Sequence, residues 1–381
     1  MRPIRLGMVG GGAGAFFGPV HRTAARLDGR FELVAGAFSS RPEAAGEGAA
    51  LIADAARSYP HYRAMIEAEA RREDGVELIA IVTPNHLHYP VAKAALEAGI
   101  AVLCEKPLAL DLEQARELAA LASERDLLFA VAYTYTGYPM VRQAAAMVRA
   151  GELGTLRGAQ IRYVQDWLAT PVEAGGSKQA AWRTDPRLAG PGGCLGDIGT
   201  HCYNLLHSVT GLNAVALAAD LQASVPGRAL DDDVQIMLRL ENGARAGIWA
   251  TQVAPAVAKN GLDFHIYGDK GGLEWAQEAP DLLRFTPVGG NSVLMRRGAG
   301  GLHPAAVAAT RLPAGHPEAY FEALGQLYRD IAEHWTQRSR APLFGARVAD
   351  GVAGIAFVET AIVSSRSNGA WTAMIPQAIA N

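Results

Sequence analysis

The sequence predicts an α/β Rossmann fold, a doubly wound parallel sheet, followed by an α+β domain with a large, mostly antiparallel open sheet. Three observations carry that reading. A glycine-rich run from Gly10 to Gly18 directly follows the first apolar segment. Short apolar runs then alternate with amphipathic helical stretches as far as about residue 135. After about residue 150 the chain changes to consecutive strand patterns joined by short turns.

Apolar runs at 4–10, 31–38, 78–83, 101–105 and 127–132 read as buried parallel strands, apolar on both faces because helices cover both sides. Helical periodicity falls between them, at 19–27, 41–56, 62–70, 89–98 and 112–124. A helix over 139–150 leads into strands at 156–167, 214–222, 233–240, 244–252, 263–268 and 272–275. Turn signals such as Glu241-Asn242-Gly243 separate several of them. Helices are expected at 195–210, 317–336 and 346–366, and Gly- and Pro-rich stretches at 169–192 and 287–315 read as long loops. The expected division is a dinucleotide-binding domain over 1–136 and an α+β domain over 137–381.

Composition excludes several classes of function. The 381 residues are 50% hydrophobic and 19% charged with a net charge of −3, so no global field draws nucleic acid or an anionic membrane. Basic pairs such as Arg71-Arg72 are too short to form a groove-binding patch. The three cysteines, Cys104, Cys194 and Cys202, show no CxxC spacing and suit a reducing compartment. The apolar stretch at 4–9 runs into glycines and makes a poor signal peptide, and no run of about 18 apolar residues offers a membrane span. The expectation is a cytoplasmic enzyme.

In the glycine run, Gly10 permits a tight turn and Gly12 a close backbone approach to a pyrophosphate. Gly14, Ala15 and Phe16 lead into the helix start, whose N–H groups and dipole favour an anion. Ala15 stands where a strict GxGxxG has its third glycine. The end of the second strand carries Ser39-Ser40-Arg41 and no carboxylate. Two hydroxyls and a guanidinium suit the 2′-phosphate of NADP, although the serines can equally cap a helix starting at Arg41. NAD and NADP both stay open, with a lean to NADP.

Three further segments stand at strand or helix ends. Thr83-Pro84-Asn85-His86-Leu87-His88 follows the third strand and Glu105-Lys106-Pro107 the fourth. Asp197 and His201, four apart, share one face of the helix predicted over 195–210. Alone, Lys106 reads as a surface lysine and His201 as a structural histidine; together they suit alcohol oxidation. His201 can exchange the hydroxyl proton, Lys106 can stabilise the oxygen, and Asp197 can orient hydroxyls. No metal is required; His86, His88 and Glu105 are read as loop and helix-start groups rather than ligands.

In this order and spacing, the glycine turn, the Thr-Pro-Asn-His-x-His run, Glu-Lys-Pro and Asp-x-Gly-x-His resemble the glucose–fructose oxidoreductase/inositol dehydrogenase/MocA family. The resemblance covers essentially the whole chain. It implies NAD(P)-dependent dehydrogenation of a secondary hydroxyl of a sugar, glycoside or cyclitol, with Lys106, Asp197 and His201 catalytic. It also implies a homodimer or homotetramer built through the second-domain sheet. On that reading Gly10, Gly12, Gly14, Ala15, Phe16, Ser39, Ser40, Arg41, Thr83, Pro84, Asn85, His88, Glu105 and Lys106 hold the cofactor. Besides Lys106, Asp197 and His201, the substrate side is assigned Tyr135, Asp166, Trp167, Trp182 and Arg183, since an indole face with nearby charges suits a sugar. The alternatives are a keto- or deoxy-sugar reductase and a dinucleotide-binding regulator without redox chemistry.

Overall fold

The computed structural model describes residues 2–12, 14–39, 50–52, 54, 57–256, 259–337 and 343–376. The chain divides into two compact units. Among the described residues, one comprises those up to Tyr133 together with Leu324–Val352; the other comprises Thr134–Ala323 and residues 353–376. The chain therefore returns to the first unit, where a single break at 136/137 was expected. Tyr328 packs edge-on to Phe31 at 5.1 Å, and Val131 N donates to Ala346 O at 2.8 Å. An amphipathic pattern shows that a helix covers a core without showing which core.

In the first unit β1 (Ile4–Gly10), β2 (Phe31–Ala37), β3 (Leu78–Val82), β4 (Ala101–Cys104) and β5 (Phe129–Val131) form a parallel sheet of order β2-β1-β3-β4-β5. β3 and β4 are buried at every position, which is why their sequences, LIAIV and AVLC, are apolar on both faces. Helices Phe17–Arg26, Tyr62–Glu69, His88–Glu97 and Leu112–Glu124 follow the strands. Asp111 caps the last of these by accepting from Gln114 N at 2.8 Å. The helix expected over 41–56 lies mostly outside the described residues; within it, 50–52 form a turn. The order reverses between β1 and β3, and Gly10 pairs with Val82 there. This is the crevice at which doubly wound sheets place ligands.

Among the described residues the second unit holds nine strands, β6 (Leu156–Val164), β7 (Ala214–Gln222), β8 (Asp233–Leu240), β9 (Arg245–Thr251), β10 (Gly261–Gly268), β11 (Gly271–Ala276), β12 (Leu282–Pro287), β13 (Val293–Arg296) and β14 (Thr372–Ala373). Their order is β13-β12-β11-β10-β6-β9-β8-β7-β14, antiparallel except for β6 beside β9. β8 alternates buried and exposed residues, as a sheet covered on one face must. β13, inside the stretch read as a loop, is mostly exposed and so carries no apolar alternation to betray it. Short helices Lys178–Arg183 and Pro186–Ala189 likewise interrupt the loop expected at 169–192, and Pro304–Ala309 the one at 287–315. Helices Pro139–Arg149 and Thr200–Thr210 pack together.

The last helix, Val348–Arg366, corrects the reading that excluded every membrane-length segment. By length and composition it can cross a membrane, with a mean hydropathy of 1.4, but 61% of that window is buried inside the fold. Phe357 stacks on Tyr203 at 4.5 Å, as a core helix requires.

Candidate active site

The first unit assembles the cofactor side at the carboxyl ends of its strands. A Cβ at Gly12 would stand 2.5 Å from the Phe38 carbonyl oxygen, so this glycine is fixed by the backbone at the end of β2. Gly14 has φ +77° and nothing within 4 Å of a Cβ built there. Among the described residues the turn is thus closed against protein at Gly12 and open at Gly14. Ala15 N closes it by donating to Gly12 O at 3.0 Å. The Phe17–Arg26 helix opens beyond Phe16 with no side-chain cap and no acidic residue in its first turn. An open glycine followed by an uncapped helix start fits a dinucleotide's phosphates. Ser39 is half-buried just past β2, whereas Ser40 and Arg41 lie outside the described residues.

Thr83 and Pro84 leave β3 beside that turn, and Asn85 is buried in the short helical turn Asn85–Leu87. His88 is fully buried, with Nδ1 2.7 Å from Pro107 O and Nε2 3.0 Å from Thr83 O. It stands between the loop after β3 and the loop after β4, a neutral ring donating to one of these carbonyls at a time, and burial, ahead of hydrogen bonding, lowers its pKa. Glu105 is buried and bonds His21 Nε2 at 2.8 Å. Lys106 is half-buried, and its backbone N–H donates to Glu105 Oε2 at 3.2 Å. Among the described residues no group of three or more His, Cys, Asp or Glu is placed to hold a metal ion.

The second unit builds its cluster around Asp197 and His201. The helix expected over 195–210 is two segments, a π-type turn Leu195–Gly199 and an α-helix Thr200–Thr210. Asp197 lies in the wide turn and His201 in the first α-turn, so their offset is not the simple four-residue spacing of an α-helix. Asp231 holds the start of this segment, accepting from Gly193 N at 2.9 Å and Leu195 N at 2.7 Å. Asp232 is buried against Ser224 N, Val225 N and Arg228, and Asp233 accepts from Trp249 Nε1 at 3.1 Å. The three consecutive aspartates are structural acceptors.

Asp197 Oδ2 accepts from Gln252 Nε2 at 2.8 Å and pairs with Arg183 Nε at 3.4 Å. The Arg183 guanidinium lies over Trp182 at 4.1 Å and near Trp167 at 5.9 Å, so Asp197, Arg183, Trp182 and Trp167 form one cluster. His201 is 6% exposed and meets Tyr135 edge-on at 4.7 Å. The Tyr135 and Tyr163 hydroxyls bond each other, Tyr163 donates to Asn260 Oδ1 at 2.9 Å, and Asn260 Nδ2 donates back to Tyr135 at 3.4 Å. Burial pushes the Tyr135 pKa up to about 12, so it stays a neutral hydroxyl at ordinary pH. Asp166, next to Trp167 in sequence, pairs with exposed Lys259. Sequence reasoning missed Tyr163, Gln252 and Asn260; the available signal was a polar residue in or beside a strand of otherwise apolar alternation.

A parallel sheet with its crevice at β1/β3 and an open glycine turn defines the first unit as the dinucleotide-binding domain of an oxidoreductase. Its residues 4–133 match the oxidoreductase family, NAD-binding Rossmann fold, and residues 141–274 match the GFO/IDH/MocA C-terminal domain. The chain belongs to the GFO/IDH/MocA oxidoreductase family and is an NAD-binding oxidoreductase of the sugar and inositol dehydrogenase type. Similar proteins include an uncharacterized oxidoreductase, YfiI, of Bacillus subtilis, 34% identical over 97% of this chain and 96% of its own. A levoglucosan dehydrogenase of Pseudarthrobacter phenanthrenivorans is 29% identical over 97% of this chain and 98% of its own. The structure of an inositol dehydrogenase homolog from Azotobacter vinelandii complexed with NAD+ superposes with a TM-score of 0.93 at 38% identity, covering 98% of this chain and 97% of that one. The same homolog is also solved with NADH and myo-inositol, at a TM-score of 0.90 and 37% identity over 98% of each chain.

Proposed function

We propose that the chain interconverts a secondary hydroxyl of a cyclitol, sugar or glycoside with its ketone, with Lys106, Asp197 and His201 as catalytic residues. What supports this is a buried imidazole, His201, four residues along the chain from a carboxylate, Asp197, that Arg183 and Gln252 hold. A pure dinucleotide binder needs no such set. The bound nicotinamide supplies the hydride acceptor or donor. His201 takes the hydroxyl proton during oxidation and returns it during reduction. Lys106 stabilises charge on the same oxygen, and Asp197 orients neighbouring hydroxyls. The indoles of Trp167 and Trp182 suit the C–H face of a ring whose hydroxyls meet Arg183 and Asp197. Relatives named for levoglucosan and for inositol support a cyclic polyol.

The run Ser39-Ser40-Arg41, without a carboxylate, supports use of NADP as well as NAD. The three cysteines are free and buried, which supports a reducing, cytoplasmic setting. Met237 and Tyr267, both exposed, lie on one face of the large sheet by strand register, which supports pairing of two copies through that face. The test is absorbance at 340 nm with NAD+ and NADP+ against myo-inositol, other inositols, levoglucosan and common pyranoses. Reduction of cofactor with at least one of them is expected. Tight NADH binding with no turnover across the panel would move the assignment to a dinucleotide-binding regulator.

A further inference from the structure

We propose that His21 is a positioning residue for Lys106, acting through Glu105 in a buried Tyr328–His21–Glu105 chain that links the phosphate-binding helix to the lysine turn. The inference rests on Lys106 being a reacting residue.

His21 sits about one turn into the Phe17–Arg26 helix that opens from the glycine run. Its ring is fully buried, with Nε2 2.8 Å from Glu105 Oε1 and Nδ1 2.9 Å from the Tyr328 hydroxyl. A carboxylate only accepts, so Nε2 donates; in the neutral ring Nδ1 then accepts the Tyr328 proton, and each ring nitrogen has one partner. The other Glu105 oxygen takes the Lys106 backbone N–H at 3.2 Å. On the far side of Lys106, the Pro107 carbonyl lies 2.7 Å from His88 Nδ1. The main chain that carries the lysine is therefore gripped from both sides by buried histidines.

Apolar groups of the same shape would fill this space without desolvating a carboxylate, so packing alone does not call for the chain. What a fully bonded polar chain adds is geometric definition of the backbone it holds. Glu105 is faced by His21, Lys106, His88 and Cys104, and by Tyr328 through His21. Burial pushes its pKa up, but the His21 hydrogen bond and the electrostatic influence of His21, Lys106 and His88 together outweigh burial and hold it below the usual carboxylate value. Without His21 the burial remains and the largest opposing contribution is gone. The Glu105 pKa then rises, and its grip on the Lys106 N–H fails at a higher pH.

The test uses the full chain with its five lysines (Lys93, Lys106, Lys178, Lys259 and Lys270) carrying 13C-methyl groups from reductive methylation. The Lys106 signal is assigned by its loss in Lys106→Met. In His21→Leu that signal should move and its titration midpoint should shift, while the other four stay in place. His21→Gln, which keeps a donor toward Glu105, should restore it. With NAD+ and a polyol that the enzyme oxidises, His21→Leu should lower kcat by about 10²-fold, as a small misplacement does, with NADH affinity nearly unchanged. The acid limb of its rate–pH profile should move toward neutrality. Should His21→Leu not fold, Tyr328→Phe carries the same test with a smaller shift. An unmoved Lys106 signal and acid limb in the folded variants overturn the inference. Near-normal turnover in Lys106→Met is a different failure: it removes the role of Lys106, and the inference with it, whatever the NMR signal does.

Discussion

The glycine turn and the Asp197–His201 segment are built by different means. The turn is made of backbone. A Cβ at Gly12 would meet the Phe38 carbonyl oxygen at 2.5 Å, and Gly14 leaves open space beside an uncapped helix start. The Asp197–His201 segment is made of side chains delivered from separated stretches of the second unit: Arg183, Gln252, Tyr135, Tyr163 and Asn260. Backbone sites are set by a few consecutive residues and bind a shape common to many ligands. Side-chain clusters are set by long-range strand pairing and carry the chemistry and the substrate preference.

That contrast can be broken by substitutions that separate binding from turnover. The largest effect is expected at Lys106→Met, which should cut kcat by about 10³-fold or more while NADH affinity, read by fluorescence, changes little. Near-normal turnover would remove the role assigned to Lys106. Gly12→Ala comes next and should do the opposite. Its methyl group collides with the backbone at Phe38, and NADH affinity should fall by roughly 10–100-fold, with a lower Tm from strain of about 1–3 kcal/mol. Unchanged affinity would mean that the turn does not touch the cofactor.

Arg183→Met acts on the substrate side. Asp197 keeps Gln252 but loses its cation, and the two indoles lose the guanidinium between them. KM for the polyol should rise about tenfold, equivalent to about 1.4 kcal/mol, with NADH affinity intact. A change in NADH affinity instead would place Arg183 on the cofactor.

The smallest effect concerns the scaffold beneath Asp197. Burial, ahead of the opposing backbone hydrogen bonds from Leu195 and Gly193, raises the Asp231 pKa from 3.8 to about 6. A carboxyl raised on folding contributes stability that is fully present below 3.8 and lost as pH rises through about 6. Urea unfolding of the wild type and Asp231→Asn between pH 4 and 7 should therefore show the wild type gaining on the variant as pH falls, by of order 1–3 kcal/mol. A pH-independent gap would contradict the assignment of the shift to Asp231.

Much of the first unit was legible because its signals are local. Four of the helices expected there and all five strands appear within a few residues of their expected bounds, since buried parallel strands are contiguous apolar runs; the helix expected over 41–56 falls mostly outside the described residues. Glu105 and Lys106 are adjacent in sequence, so their strand-end position follows from β4 alone. In the second unit, periodicity found the strands of the sheet centre but not β12 to β14, which are short or exposed. The π-type turn at Leu195–Gly199 has no sequence signature in the helical pattern. The partners of His201 and Asp197 were invisible for a related reason: alternation marks which face of a strand is buried but not which polar groups meet across it. The return of Leu324–Val352 to the first unit, which places Tyr328 on His21, is equally a matter of tertiary contact.

On the proposed mechanism the first unit holds the cofactor and a side chain of the second exchanges the proton. His201→Asn tests it most directly, because the change keeps a polar side chain and removes the titrating ring. NADH affinity should stay within about threefold of wild type while kcat falls by about 10²–10⁴-fold, the usual contribution of a positioned acid–base group. Turnover near wild type, or loss of NADH binding in parallel with turnover, would contradict it.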